Sequence, residues 1–214
     1  FCSNCGNESP KWMGRCPACG EWGSMVEEVV RKESASKMGD TRSFESVKSH
    51  PQTLGEIRAE QEPRIDMHDE EFNRVLGGGL VPASLVLIGG EPGIGKSTLV
   101  LQTMLKLGDI RTLYVSGEES ARQLKLRADR LGITNENCLI VCETNLDEIF
   151  KHIRNTSPQL VIIDSIQTVY SELLESSPGS ISQVRECAAS VLKFAKQSGT
   201  PVILIGHITK EGSI

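Results

Sequence analysis

The segment from Ser84 to Thr98 constrains this chain more than any other. The apolar run Ser84-Leu85-Val86-Leu87-Ile88-Gly89 leads directly into Gly90-Glu91-Pro92-Gly93-Ile94-Gly95-Lys96-Ser97-Thr98, and a helical pattern follows from Thr98 to Leu107. The motif G-x-x-x-x-G-K-[ST] is complete, and it sits between a strand and a helix, where its mechanism needs it. Gly90, Gly93 and Gly95 let successive backbone N–H groups curl around phosphate oxygens, the helix adds its positive N-terminal end, and Lys96 reaches the outer oxygens. Ser97 is placed to hold Mg²⁺, with Thr98 beside the innermost phosphate of ATP. The alternative, a chance Gly-Lys-Ser in a surface loop, would not require the flanking strand and helix.

Further apolar runs, Thr112 to Ser116, Cys138 to Cys142, Leu160 to Asp164 and Pro201 to Gly206, alternate with helical patterns over Ser120 to Leu131, Leu146 to Asn155 and Ile181 to Ser198. Buried strands alternating with helices mean an α/β fold with a mostly parallel sheet covered on both faces. The stretch from Phe72 to Pro82 reads as a glycine-rich turn entering the first strand. Ligands of open α/β sheets gather at the carboxyl ends of the strands, so polar residues there become candidates. Asp164 ends one apolar run and is the expected second anchor for Mg²⁺; its alternative is a turn or helix N-cap residue. Glu118 follows another run and is the expected general base, with Glu119 in reserve, since a charge there can equally offset a helix dipole. His207 closes the last run, either as a sensor of the terminal phosphate or as an exposed histidine without a role.

A second motif lies at the other end of the chain. Cys2-Ser3-Asn4-Cys5 and Cys16-Pro17-Ala18-Cys19 each aim two thiolates at one point, and the residues between the pairs suffice for a hairpin. Four sulfurs then close a tetrahedral zinc site with no position left for water, which makes the metal structural. Gly6 and Gly20 follow the pairs where a metal-binding turn needs positive φ, and Trp12 and Trp22 are expected to pack around the unit. Two disulfides in a secreted domain are the alternative. With no signal peptide or hydrophobic span and a nucleotide site downstream, the chain reads as cytoplasmic, without a membrane segment. Residues 25–62 mix charged and polar residues without a period and read as a linker, with a local strand near Val26 to Val30. The expected domains are therefore a finger at 1–24, a linker at 25–62 and an ATPase core at 63–214.

The net charge of −5 leaves no general basic field, so any nucleic acid must be held by local loops or by a channel formed on assembly. Cys138, Cys142 and Cys187 read as buried thiols. No acceptor-binding segment or lid points to a small-molecule kinase. The chain starts at Phe1 and stops just after a strand signal, which reads as part of a longer protein whose core continues.

With these motifs in order, the chain resembles the bacterial RadA (Sms) family of DNA repair ATPases, which pair a RecA-like P-loop core with an N-terminal four-cysteine zinc finger. The resemblance covers nearly the whole chain. It rests on the cysteine pairs, the phosphate loop, Val115 to Ser120, Ile163-Asp164-Ser165-Ile166-Gln167-Thr168, Pro178 to Glu186, and Gly206 to Gly212. It implies a homo-hexameric ring, fuelled by ATP, that binds single-stranded or branched DNA and promotes branch migration, with recombinase or replication proteins as further partners. It also implies Glu118 as the catalytic glutamate, His207 as the strand-end sensor, and pore loops at Ser171 to Ser182 and from Thr209-Lys210-Glu211. Arg185 and Lys210 are candidate contacts to DNA or a neighbouring subunit, or else solvated charges. The family's Lys-Asn-Arg-Phe-Gly motif and protease-like domain do not occur in this sequence, so weak hydrolysis is expected of the chain alone. The competing reading is an ATPase or nucleotide switch that acts on protein partners without DNA translocation.

Overall fold

The computed structural model describes residues 14–23, 51, 53–56 and 63–207. They belong to two compact units, Phe1–Ser43 and Phe44–Ile214. In the first, Arg15 and Trp22 form an antiparallel bridge that closes a small hairpin. Its turn is held by Gly20 N–H donating to the Cys16 carbonyl and Cys16 N–H to the Glu21 carbonyl, each at 2.9 Å. Gly20 takes the expected positive φ, at 76°. Trp22 does not form a core here: it is 74% exposed, with the Arg15 guanidinium 5.9 Å from its ring centroid, so the indole stacks on a cation instead of burying. Cys2, Cys5, Gly6, Trp12 and the strand expected near Val26 lie outside the described residues. Within the stretch read as a linker, a helical turn at Leu54–Glu56 buries nothing.

The second unit runs α1 (Glu70–Val75), β1 (Leu85–Gly90), α2 (Lys96–Lys106), β2 (Thr112–Ser116), α3 (Ala121–Leu131), β3 (Cys138–Cys142), α4 (Leu146–Thr156), β4 (Leu160–Asp164), α5 (Ile181–Ser198) and β5 (Val202–His207). The strands form one sheet in the order β1-β5-β4-β2-β3, and every pairing is parallel. Alternation of side chains along each strand sorts them between two cores. Tyr114, Leu160, Ile162, Ile203 and Ile205 pack under α2 and α3, while Leu113, Val115, Val161, Ile163, Val202 and Leu204 pack under α4 and α5.

Three local features depart from the sequence reading. α1 occupies residues read as a turn, because Asp69 caps it by accepting from Phe72 N–H and Glu70 and Glu71 fill its positive end. α2 starts at Lys96, two residues early, because its N-cap Gly95 holds φ 98° and turns the chain straight from the loop into the helix. Cys187 is buried as expected, Cys138 is partly buried and Cys142 is exposed: β3 lies at the sheet edge, where the last residue of the strand is not covered.

The segment from Ser171 to Ser176 is built around one buried amide. The Gln183 side chain, on α5, accepts from Ser171 N–H at 2.9 Å and donates to the carbonyls of Ser171, Leu174 and Ser176 at 3.1, 3.2 and 3.0 Å. It is 1% exposed, so no water substitutes for it. Gln183→Leu leaves those backbone groups unpaired and is expected to destabilise by about 1–3 kcal/mol. Denaturant unfolding measures the loss, and hydrogen exchange of Ser171 N–H should accelerate ahead of the sheet.

Candidate active site

The parallel register brings the ends of four strands level. Gly90 of β1 pairs with His207 of β5, and Ser116 of β2 pairs with Asp164 of β4, so the phosphate loop, His207, Asp164 and Glu118 share one edge. Within the loop, the N–H groups from Gly93 to Ser97 donate to no other described residue. Such a run of uncommitted amides at a helix N-terminus fits an anion. Ser97 and Thr98, both partly buried, occupy the first turn of α2.

Lys96 is 7% exposed and uses all its donors inside the protein. Its Nζ donates to the Gly90 and Glu91 carbonyls at 2.8 and 2.9 Å and lies 3.3 Å from His207 Nδ1. With lysine as donor at Nδ1, the ring carries its proton on Nε2, which donates to Glu118 Oε1 at 2.9 Å. A continuous hydrogen-bonded chain thus runs from Lys96 through His207 to Glu118. The His207 backbone is itself fixed by Gln167, whose amide nitrogen donates to its carbonyl and whose oxygen accepts from its N–H.

Glu118 and Glu119 are separated by their surroundings. Glu119 is committed to an ion pair with Arg127 of α3, and its backbone exchanges hydrogen bonds with the Ser116 hydroxyl. Glu118 faces the strand ends, accepting from Ser165 Oγ at 2.5 Å as well as from His207. Partial burial pushes the Glu118 carboxyl upward, but the Ser165 hydroxyl, the His207 ring and the Lys96 charge together hold it below the ordinary 4.5. Gly117 permits the approach: a Cβ there would stand 1.9 Å from Thr168 Oγ1.

Asp164 is 5% exposed and ends β4. One carboxylate oxygen accepts from the Tyr114 hydroxyl, which burial and the Asp164 charge hold firmly protonated. The other, Oδ1, is buried without a partner among the described residues. An orphaned buried carboxylate oxygen beside a phosphate loop fits a divalent cation or its bound water. Sequence analysis assigns no role to Tyr114, Ser165 or Gln167; Ser165 and Gln167 stand in the motif after Asp164, and the signal for Tyr114 is its polarity inside an apolar strand. Arg185 is exposed on the first turns of α5, apart from this network, and Lys210 lies outside the described residues.

In the hairpin, Cys16 is buried and Cys19 exposed at the two ends of one turn. That turn fits half of a four-thiolate site. Among the described residues no three Cys, His, Asp or Glu side chains gather as a metal site.

Residues 51–213 match the AAA domain family, and residues 1–27 match the rubredoxin metal binding domain. Along its whole length the chain is 50% identical to the DNA repair protein RadA of Halalkalibacterium halodurans and 51% identical to that of Bacillus subtilis, and it spans 47% of each. The RadA of Pseudomonas aeruginosa is 45% identical, again over the whole chain and 47% of the relative. Among solved structures, a KaiC-like protein from Pyrococcus horikoshii superposes with a TM-score of 0.58 at 21% identity, covering 71% of this chain and 74% of that one, which bears on the fold alone. No described helix is long and apolar enough to cross a membrane.

The Glu118 carboxyl should titrate below 4.5. Because the folded state binds this proton less readily than the unfolded chain, its stabilising contribution is present above the ordinary value and lost as pH falls through the lower folded one. Carbon-detected NMR of the glutamate carboxyls should give that low midpoint, rising in His207→Phe; a midpoint at or above 4.5 in the parent chain contradicts the hydrogen-bonding described.

Proposed function

This chain belongs to the AAA domain family; from that premise we propose that it is part of a DNA repair ATPase of the RadA kind and hydrolyses ATP at the β1–α2 loop to drive movement along single-stranded or branched DNA. The observation that carries the reading is the hydrogen-bonded chain from Lys96 through His207 to Glu118. It joins the residue that meets the phosphates to the residue that meets the attacking water. On nucleotide binding, Lys96 gives up the Gly90 and Glu91 carbonyls for phosphate oxygens, and the amides of Gly93 to Ser97 close around the same group. Gly90, Glu91, Pro92 and Ile94 complete the loop. Ser97 and Asp164 would hold Mg²⁺, which would neutralise charge at the phosphates. Glu118 takes the proton of the attacking water, and His207, touching both Lys96 and Glu118, senses which partner Lys96 has.

Single-stranded DNA binding, branch migration and a homo-hexameric ring are the finer part of the proposal, supported by the kinship with RadA proteins. Between Ser171 and Ser180 the only charged residues are Glu172 and Glu175. That segment would therefore meet DNA through backbone and serine groups, with Arg185 and Lys210 as the candidate cations for contact with the strand or a neighbouring subunit. The protein-directed switch differs in one respect: it needs no acceleration by DNA. The cytoplasm is the compartment this work requires, and recombinase or replication proteins are the natural partners.

Lys96→Ala is expected to weaken ATP binding about ten- to a hundredfold, read with a fluorescent analogue. Glu118→Gln should bind within about twofold of the parent and hydrolyse roughly 10²- to 10⁴-fold more slowly. Single-stranded DNA should raise the hydrolysis rate of the full-length protein; an unchanged rate, with no DNA retained in the presence of ATP, would leave the switch as the function.

For the finger, we infer that Cys2, Cys5, Cys16 and Cys19 hold one structural zinc in a unit of residues 1–24. Chelation should release that zinc and abolish the dispersed NMR signals of the Cys16–Gly20 turn while ATP affinity stays the same. Retention of those signals in metal-free protein would remove zinc from the account.

A further inference from the structure

Ser165 is wholly buried and stands at the N-cap position of the helical turn Ile166–Thr168, yet its side chain makes no capping bond. A serine in that position ordinarily caps the turn. Its hydroxyl instead reaches across from the end of β4 to the segment after β2 and donates to Glu118 Oε1 at 2.5 Å. The serine is itself held: its carbonyl accepts from Thr168 Oγ1 at 2.8 Å and from Thr168 N–H at 3.1 Å. Gly117 N–H donates to the Asp164 carbonyl at 2.7 Å, so the two strand ends are fastened together immediately before the serine and the glutamate.

Two donors, Ser165 Oγ and His207 Nε2, therefore converge on one oxygen of Glu118, while Oε2 receives no hydrogen bond from any described residue. Two bonds on one oxygen remove the rotational freedom of the carboxylate and leave the other oxygen as the basic one. The two donors differ in what can move them. His207 is bonded to Lys96 and must respond when Lys96 turns to phosphate, whereas Ser165 is bonded only to its own turn and to Glu118. We propose that Ser165 is a positioning residue for hydrolysis: its hydroxyl keeps the Glu118 carboxylate aimed, with Oε2 toward the attacking water, while the His207 contact changes with the nucleotide. This rests on Glu118 being the base. A carboxylate held by His207 alone would swing whenever the phosphate loop filled; the serine makes the base independent of that event.

A double-mutant cycle on the full-length protein tests it, with single-turnover hydrolysis and fluorescent-ATP binding as readouts. Ser165→Ala should slow hydrolysis about ten- to a hundredfold with nucleotide affinity within about twofold of the parent. Ser165→Cys, which keeps the volume but offers a weaker donor, should fall between the two and guards against a folding defect in the alanine variant. In a Glu118→Gln background neither Ser165 change should slow the reaction further, because the group that Ser165 aims is already lost. A wild-type rate in Ser165→Ala, or the same fold loss in both backgrounds, overturns the proposal while leaving Glu118 as base. Normal turnover in Glu118→Gln alone is a different failure and overturns the assignment of the base.

Discussion

The register of the parallel sheet is the constraint on which the rest depends. Gly90 opposite His207 and Ser116 opposite Asp164 bring residues far apart in sequence to one edge. Side chains alternate along a strand, so a slip of one residue in either pairing would send His207 or Asp164 to the opposite face of the sheet. The register is specified by burial: β2 and β4 are buried at every position and β5 at all but its last, with each face packed under its own pair of helices. Hydrophobic packing thus sets the geometry of the polar site, which it meets at Tyr114.

At that edge the polar groups are arranged by what each can donate. Lys96 spends its three protons on two carbonyls and the His207 ring, all exchangeable for phosphate oxygens of comparable strength or better. Asp164 spends one oxygen on Tyr114 and keeps the other without a partner among the described residues. Burying a carboxylate oxygen without a partner costs stability, and such groups persist where function uses them. Glu118 and Glu119, adjacent in sequence, diverge because Arg127 takes one and Ser165 with His207 takes the other.

Much of this was legible in the sequence because the signals were local. The five strands and four of the helices follow from apolar runs and helical periods, and the glycines of the phosphate loop announce its turns. α1 was not read, although Asp69-Glu70-Glu71 is a cap followed by acidic residues; the glycines after it dominated the pattern. Trp22, expected to pack around the finger, stays largely exposed, and its contact is the Arg15 guanidinium of the same small hairpin. What could not be read was pairing across distance. The His207 and Ser165 bonds that single out Glu118 from Glu119, and the Tyr114 bond to Asp164, join residues 47 to 89 positions apart, and only the sheet brings them together.

The central claim is that the strand edge is already aimed before nucleotide arrives, with Glu118 as the group that meets water. A crystal structure of the protein with Mg²⁺, ADP and aluminium fluoride tests it most directly. It should show Lys96 Nζ moved from the Gly90 and Glu91 carbonyls onto the phosphates, Asp164 Oδ1 facing the metal's water shell, and Glu118 Oε2 within hydrogen-bond distance of the attacking water, with Ser165 still on Oε1. A structure in which Glu119 leaves Arg127 to hold that water, or in which Glu118 has turned away from the fluoride, would contradict the account.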